Sequence, residues 1–80
     1  MAIVRMFAAA RAAAGRSRDE LPGATVGEVL DAARSSYGAA FADVLDSCRI
    51  WVNGEPATPT TAVSADDEIA VLPPVSGGCG

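Results

Sequence analysis

The sequence contains no histidine and no lysine among its 80 residues. Without imidazole there is no His-based catalytic triad, no His-ligated metal and no imidazole proton shuttle. Without lysine there is no Schiff base, no P-loop amine and no ε-amine for attachment, and all six positive charges are arginine. Cysteine is scarce as well. Cys48 and Cys79 are too few for a disulfide scaffold and too far apart for zinc-ligand spacing. A Cys48–Cys79 bridge is the one disulfide this pair allows, and such bridges are rare in a reducing cytosol. No stretch approaches the ~20 apolar residues that span a bilayer. The segment Met1–Phe7 has neither the basic start nor the long apolar run of a secretory signal. Together these absences predict a cytoplasmic, reduced protein that is not an enzyme in its own right and holds no metal.

What is present is mostly small. Hydrophobic residues make up 50% of the chain, but 17 of them are alanine. The larger apolar side chains therefore suffice for one modest core. A chain of this size buries only about 60% of its surface on folding, which allows a single domain with little margin for pockets. Ten acidic residues against six arginines give a net charge of −4. That balance argues against nucleic acid and anionic membrane as partners.

Periodicity supplies the elements. Ala2 to Ala8 alternates as a strand, which places Val4 and Met6 inward and Ile3, Arg5 and Phe7 outward. Ala8 to Ala14 is an Ala/Arg run of high helix propensity, stopped at Gly15. Arg16 to Leu21 reads as a short, charged edge strand. Thr25-Val26-Gly27-Glu28 is a capping box that opens the main helix. Val26, Val29, Leu30 and Ala33 repeat at helical spacing, with Tyr37 extending the stripe and Gly38 ending it. Ala39 to Leu45 is a further helical turn, with Phe41, Val44 and Leu45 as core plugs. Arg49 to Asn53 is a strand closed by the turn signal Asn53-Gly54, and Pro56 to Thr61 is a loop or weak strand. Glu68 to Leu72 is the last strand, stopped by Pro73-Pro74. The order predicts an α+β fold, a mixed sheet with one main helix packed across it.

The chain then runs Leu72-Pro73-Pro74-Val75-Ser76-Gly77-Gly78-Cys79-Gly80. Proline fixes φ and stiffens the exit from the strand. Gly77 and Gly78 carry no side chain, which suits a terminus that must thread a narrow enzyme channel, although a frayed Gly-rich end is the plainer alternative.

Four segments together resemble the MoaD/ThiS family of ubiquitin-like sulfur carriers. They are Phe7 to Gly15, Thr25 to Leu30, Val52 to Glu55 and Asp67 to Gly78. The resemblance is strongest to MoaD, the small subunit of molybdopterin synthase. It implies a ubiquitin-like β-grasp domain over residues 1–74, with the first and last strands side by side, and a flexible tail over 75–80. It also implies a mechanism in which a ubiquitin-activating-type enzyme adenylates the terminal glycine with ATP. A sulfur donor then displaces AMP and leaves a thiocarboxylate. Gly78 corresponds to the sulfur-carrying residue, and Gly77, Ser76 and Val75 to the threading arm. The implied partners are the adenylating enzyme and a larger catalytic synthase subunit, with no cofactor bound to the carrier itself.

The sequence departs from that pattern at one place. Gly78 is joined to Cys79-Gly80 and so has no free carboxylate. Some carriers of specialised metabolism resemble this, with a Cys-containing dipeptide that a zinc metallopeptidase removes; Gly78, Cys79 and Gly80 would then form a processing site. The alternatives are a terminus that is not the natural one and direct use of the Cys79 thiol. The destination of the sulfur is molybdopterin on the leading reading. Cysteine, thiamine or a thio-containing secondary metabolite is the alternative, and a ubiquitin-like protein modifier is an alternative of another class. The strand alternation also predicts an outer-face patch of Phe7, Trp51 and Leu72 rimmed by Arg5 and Arg49. It serves either as partner-docking surface or as a second small core under a covering loop. The acidic run Asp66, Asp67, Glu68 reads as a solvated turn, and Asp43 and Asp46 form no acid/base pair.

Overall fold

The alternation of the first strand sets the architecture. In the computed structural model, which describes residues 1–73, Val4 and Met6 of β1 (Ala2–Met6) are buried while Arg5 is exposed. The other elements follow as α1 (Ala8–Ala14), β2 (Arg18–Leu21), α2 (Val26–Tyr37), α3 (Ala39–Leu45), β3 (Arg49–Val52), β4 (Glu55–Pro56) and β5 (Glu68–Leu72). The five strands form one mixed sheet in the order β2-β1-β5-β3-β4. β1 and β5 pair in parallel at its centre, and the remaining pairs are antiparallel. The α+β expectation and the central parallel pair are both met.

Helix α2 begins and ends on local signals. The Thr25 hydroxyl accepts from Glu28 N–H at 3.3 Å. The Glu28 carboxylate reaches back to Ala24 N–H at 2.9 Å, one residue beyond the expected Thr25. An isolated bridge between Thr25 and Ala62, flanked by Val26 N–H to Thr61 C=O at 2.9 Å and Val63 N–H to Ala24 C=O at 2.9 Å, fixes the chain there. Gly38 separates α2 from α3 at φ +93°, a conformation that only glycine adopts without strain. Its N–H caps α2 on Arg34 C=O at 3.0 Å and its C=O accepts Ala42 N–H at 3.1 Å, which starts α3. Asn53 and Gly54 both take positive φ, +51° and +86°, as a tight antiparallel turn requires.

The core lies between the sheet and the helices. Val4, Met6, Ile69 and Val71 from the sheet meet Val26, Val29, Leu30 and Ala33 of α2 and Phe41 and Leu45 of α3. Each such large side chain contributes about 1.5–3 kcal/mol relative to exposure. Among the described residues no polar or charged side chain is buried. Several expectations shift in detail. β1 ends at Met6 rather than Ala8, since Phe7 is the N-cap of α1, and β3 ends at Val52 rather than Asn53, which belongs to the turn. β2 starts at Arg18 rather than Arg16, and the weak strand of the 56–61 segment is the two-residue β4 at Glu55–Pro56. Ile50 and Val52 face the core but stay partly open, because only β4 flanks β3 on that side.

Candidate functional site

The residue that launches the tail is held from both sides. Leu72, the last residue of β5, is paired with Arg49 of β3. On the other flank Met6 pairs with Val71, and Phe7 N–H donates to Val71 C=O at 3.2 Å. Pro73 follows, exposed, where no ladder continues. The strand therefore ends as a braced root. Val75, Ser76, Gly77, Gly78, Cys79 and Gly80, the threading, sulfur-carrying and processing positions, lie outside the described residues.

The sheet face turned away from the helices brings the expected docking residues together. Arg5, Ala70 and Trp51 stand in one row across three strands, and Leu72 and Arg49 stand in the next beside Phe7. Phe7 is 41% exposed, and among the described residues it and Met1 are the exposed large hydrophobics. Trp51 and Leu72 are half-buried rather than open, since Pro56 of β4 pairs opposite Trp51. Arg5 and Arg49 are both exposed. Arg5 lies 3.5 Å from Glu68 in a pair about half open to water, which contributes little to stability. Strand alternation located this face. It missed Arg18, which lies opposite Arg5 on β2, because register cannot be read from one strand alone.

A second cluster joins β2 to α2. Tyr37 OH donates to Asp19 Oδ2 at 2.5 Å, and Arg16 reaches the same oxygen at 3.2 Å. The Arg16 guanidinium lies 5.9 Å from the Tyr37 ring centroid, and Tyr37 meets Phe41 edge-on at 5.0 Å. The Tyr37 hydrogen bond holds the Asp19 carboxyl below the usual range, helped by Glu20 N–H and Arg16. Burial, then Asp19, pushes the Tyr37 hydroxyl well above its ordinary value. A phenol so held keeps its proton and is a poor acid, and the cluster serves as a clasp. Cys48 is half-buried, donates to Val44 C=O at 3.2 Å, and burial raises its thiol. That lowers its thiolate fraction and its reactivity.

Asn53 Nδ2 donates to Asp67 Oδ1 at 2.9 Å, which with Ser64 N–H keeps the Asp67 carboxyl below its usual range. Asp46 lies 3.9 Å from Arg34, apart from any base. Among the described residues no three His, Cys, Asp or Glu side chains converge as a metal site. No described helix is long and apolar enough to cross a membrane. An open groove lies beneath the β3–β4 hairpin, lined by Val52, Asn53, Glu55, Pro56, Ala57 and Thr61, with no set of reactive groups in it. The described part of the chain thus offers a surface and a braced tail root.

Sheet order, the central parallel pair and the capped helix define a small protein of the ubiquitin-like β-grasp class. The chain belongs to the ThiS family, whose model matches residues 4–78. Proteins of this kind are small carriers and modifiers rather than catalysts. Small archaeal modifier protein 1 of Haloferax volcanii is 42% identical over 62 residues, 69% of this chain and 71% of that protein. Its crystal structure superposes with a TM-score of 0.76 at 36% identity, covering 95% of this chain and 97% of that one. CysO in the Amycolatopsis orientalis BexX/CysO complex gives a TM-score of 0.80 at 25% identity, covering 98% of this chain and 100% of that one. A Pyrococcus furiosus protein described as molybdopterin converting factor subunit 1 gives 0.80 at 27% identity, with 92% and 97% covered.

Proposed function

We propose that the chain is a sulfur carrier whose reacting group is the Gly78 carboxylate, freed by removal of Cys79-Gly80. The observation that supports this is the extent of the family match, which runs to residue 78 and so takes in Gly77-Gly78 but not Cys79. Hydrolysis of the Gly78–Cys79 peptide bond consumes one water and releases Cys-Gly. A zinc metallopeptidase is the proposed agent. ATP then converts the carboxylate to an acyl-adenylate with loss of pyrophosphate, on a ubiquitin-activating-type enzyme. A sulfide-level donor adds at the carbonyl and expels AMP, leaving a thiocarboxylate. The carrier supplies the handle and a braced exit; the chemistry belongs to its partners.

For the acceptor we propose the precursor of molybdopterin, bound to a larger synthase subunit, a reading that the likeness to the Pyrococcus furiosus protein favours. Cysteine, thiamine or another thio-metabolite would leave the carrier's own steps unchanged. A second reading, conjugation of Gly78 to lysines of other proteins, is favoured by the 42% identity to a small archaeal modifier protein.

Intact-protein mass spectrometry tests the proposal. The chain ending at Gly78 and the full chain are incubated with ATP, sulfide and the activating enzyme. Replacement of one oxygen by sulfur is expected only on the shorter form. A thiocarboxylate on the uncut chain, or none on either, refutes the capped-carrier reading. A Gly78–lysine adduct on a second protein supports the modifier.

A further inference from the structure

The sheet has two edges, β2 and β4. β4 is closed as a pairing strand, because it has two residues and Pro56 has no N–H to offer. β2 is different. Met6 N–H donates to Ser17 C=O at 2.9 Å, while Ile3 and Phe7 N–H donate the other way, to Asp67 and Val71 C=O. The even residues of β1 therefore face β2, and Ser17, Asp19 and Leu21 turn their peptide groups inward to meet them. Arg18 and Glu20 turn theirs outward, to the open edge. Both residues are exposed, and among the described residues no acceptor meets Arg18 N–H. Glu20 N–H is covered. The Asp19 carboxylate accepts it through Oδ1 at 2.8 Å, while Oδ2 is held by Tyr37 and Arg16. The clasp thus guards one outward group and leaves the Arg18 N–H and both outward carbonyls open.

We infer that this edge is a self-association site, which takes β2 of a second copy of the chain antiparallel about a two-fold axis at Asp19. The charges select that register. Only Arg18 and Glu20 carry outward peptide groups, so across the axis arginine meets arginine, glutamate meets glutamate, or Arg18 meets the partner's Glu20. The first two set like charges opposite one another, which destabilises a sheet, whereas the third sets unlike charges opposite twice. Arg18 and Glu20 already lie 3.5 Å apart within one strand as an exposed pair, so exchanging partners breaks no buried contact. An extended segment of another protein needs the same base and acid two residues apart; a second copy supplies them by symmetry.

The hydrogen bonds divide by what must move. Arg18 N–H donates to the partner's Glu20 C=O on both sides of the axis with no rearrangement. Glu20 N–H reaches the partner's Arg18 C=O only after Asp19 Oδ1 lets go. Asp19 also stands opposite the partner's Asp19, a like-charge contact tempered by Arg16 on each side. The carboxylate is therefore a brake on pairing, in the manner of inward-pointing charges that guard sheet edges. A four-residue edge falls short of the ~1,200 Å² that stable interfaces bury, so the dimer of the intact chain is weak and reversible. In it the two β5 strands run in opposite directions about 24 Å apart, five strand spacings. Pairing at β2 leaves both tail roots and both β3 strands uncovered.

Sedimentation equilibrium of the full chain at physiological salt, loaded up to about 1 mM, reads the association. Wild type is expected to form a weak reversible dimer, and Asp19→Ala one about tenfold tighter, since two further backbone bonds then close. Arg18→Glu and Glu20→Arg each set like charges opposite one another and should weaken the dimer about fivefold or more. An equimolar mixture of these two variants opposes unlike charges at both places and should recover association, as should the doubly exchanged chain. Amide exchange followed by NMR locates the contact: Arg18 N–H should gain protection as concentration rises, and Gly54 N–H at the far edge should not. Circular dichroism checks each fold, and if Asp19→Ala does not fold, the charge variants decide alone. Monomers throughout, a dimer indifferent to the charge reversals, a mixture no tighter than its components, or a dimer that leaves Arg18 N–H unprotected overturns the inference.

Discussion

Replacing Tyr37 with Phe isolates one bond. The edge-on contact with Phe41 and the stacking of Arg16 on the ring survive, and only the 2.5 Å hydroxyl–Asp19 hydrogen bond is lost. Hydrogen bonds to charged groups are worth about 1.5–3 kcal/mol. The Asp19 side chain is 25% exposed and keeps Arg16 and Glu20 N–H, so the lower end applies, about 1.5 kcal/mol. For a domain of this size that is a fall in Tm of about 6–12 °C. The pH dependence carries the sharper signature. Because the folded-state Asp19 carboxyl lies below its unfolded value of about 3.9, its stabilisation is complete above that pH and is lost as pH falls through the folded value. As Asp19 protonates, the bond becomes neutral and about half as strong, so the gap between wild type and Tyr37→Phe should narrow by about half in acid. At the other extreme the raised Tyr37 hydroxyl gives stability that is full below about pH 10 and lost as pH climbs further, a limb the variant lacks. Urea unfolding followed by Trp51 fluorescence and circular dichroism across pH reads all three. A gap of the same size at neutral and strongly acid pH, or a variant as stable as wild type, would refute the clasp.

Two further expectations concern packing. Phe41→Ala removes the largest fully buried side chain and should cost about 3–5 kcal/mol in urea unfolding, whereas a loss below about 1 kcal/mol would mean that α3 is peripheral to the core. Gly23→Ala places a Cβ 2.6 Å from Val29 N and 2.7 Å from Val29 Cγ2 at a φ of +149°. Both backbone strain and the first turn of α2 then oppose it, and a loss of about 2 kcal/mol or more in Tm or urea measurements is expected.

What the sequence disclosed and what it concealed divide by the range of the interaction. The α2 stripe, the Thr25 cap, the Gly38 break and the Asn53-Gly54 turn are properties of a few neighbouring residues, and each stands where local rules placed it. The alternation of β1, β3 and β5 likewise sorted the two faces of the sheet. The clasp joins residues 18 apart, and Val63, buried beside α2, is drawn in by its N–H to Ala24 C=O at 2.9 Å. Neither carries a local pattern, since Val63 stands alone among small and polar residues. The make-up of the outer face is hidden in the same way. Arg5, Arg18 and Arg49 belong to three different strands, and only the pairing of β1 with β2 and β5, and of β5 with β3, brings them onto one face. A one-residue slip of β3 would turn Arg49 and Trp51 toward the helices, while Ile50 and Val52 would face outward. The outer face therefore depends on the same register that sets Val71 beside Ile50, and a variant that keeps the core in place keeps Arg49 and Trp51 on that face as well.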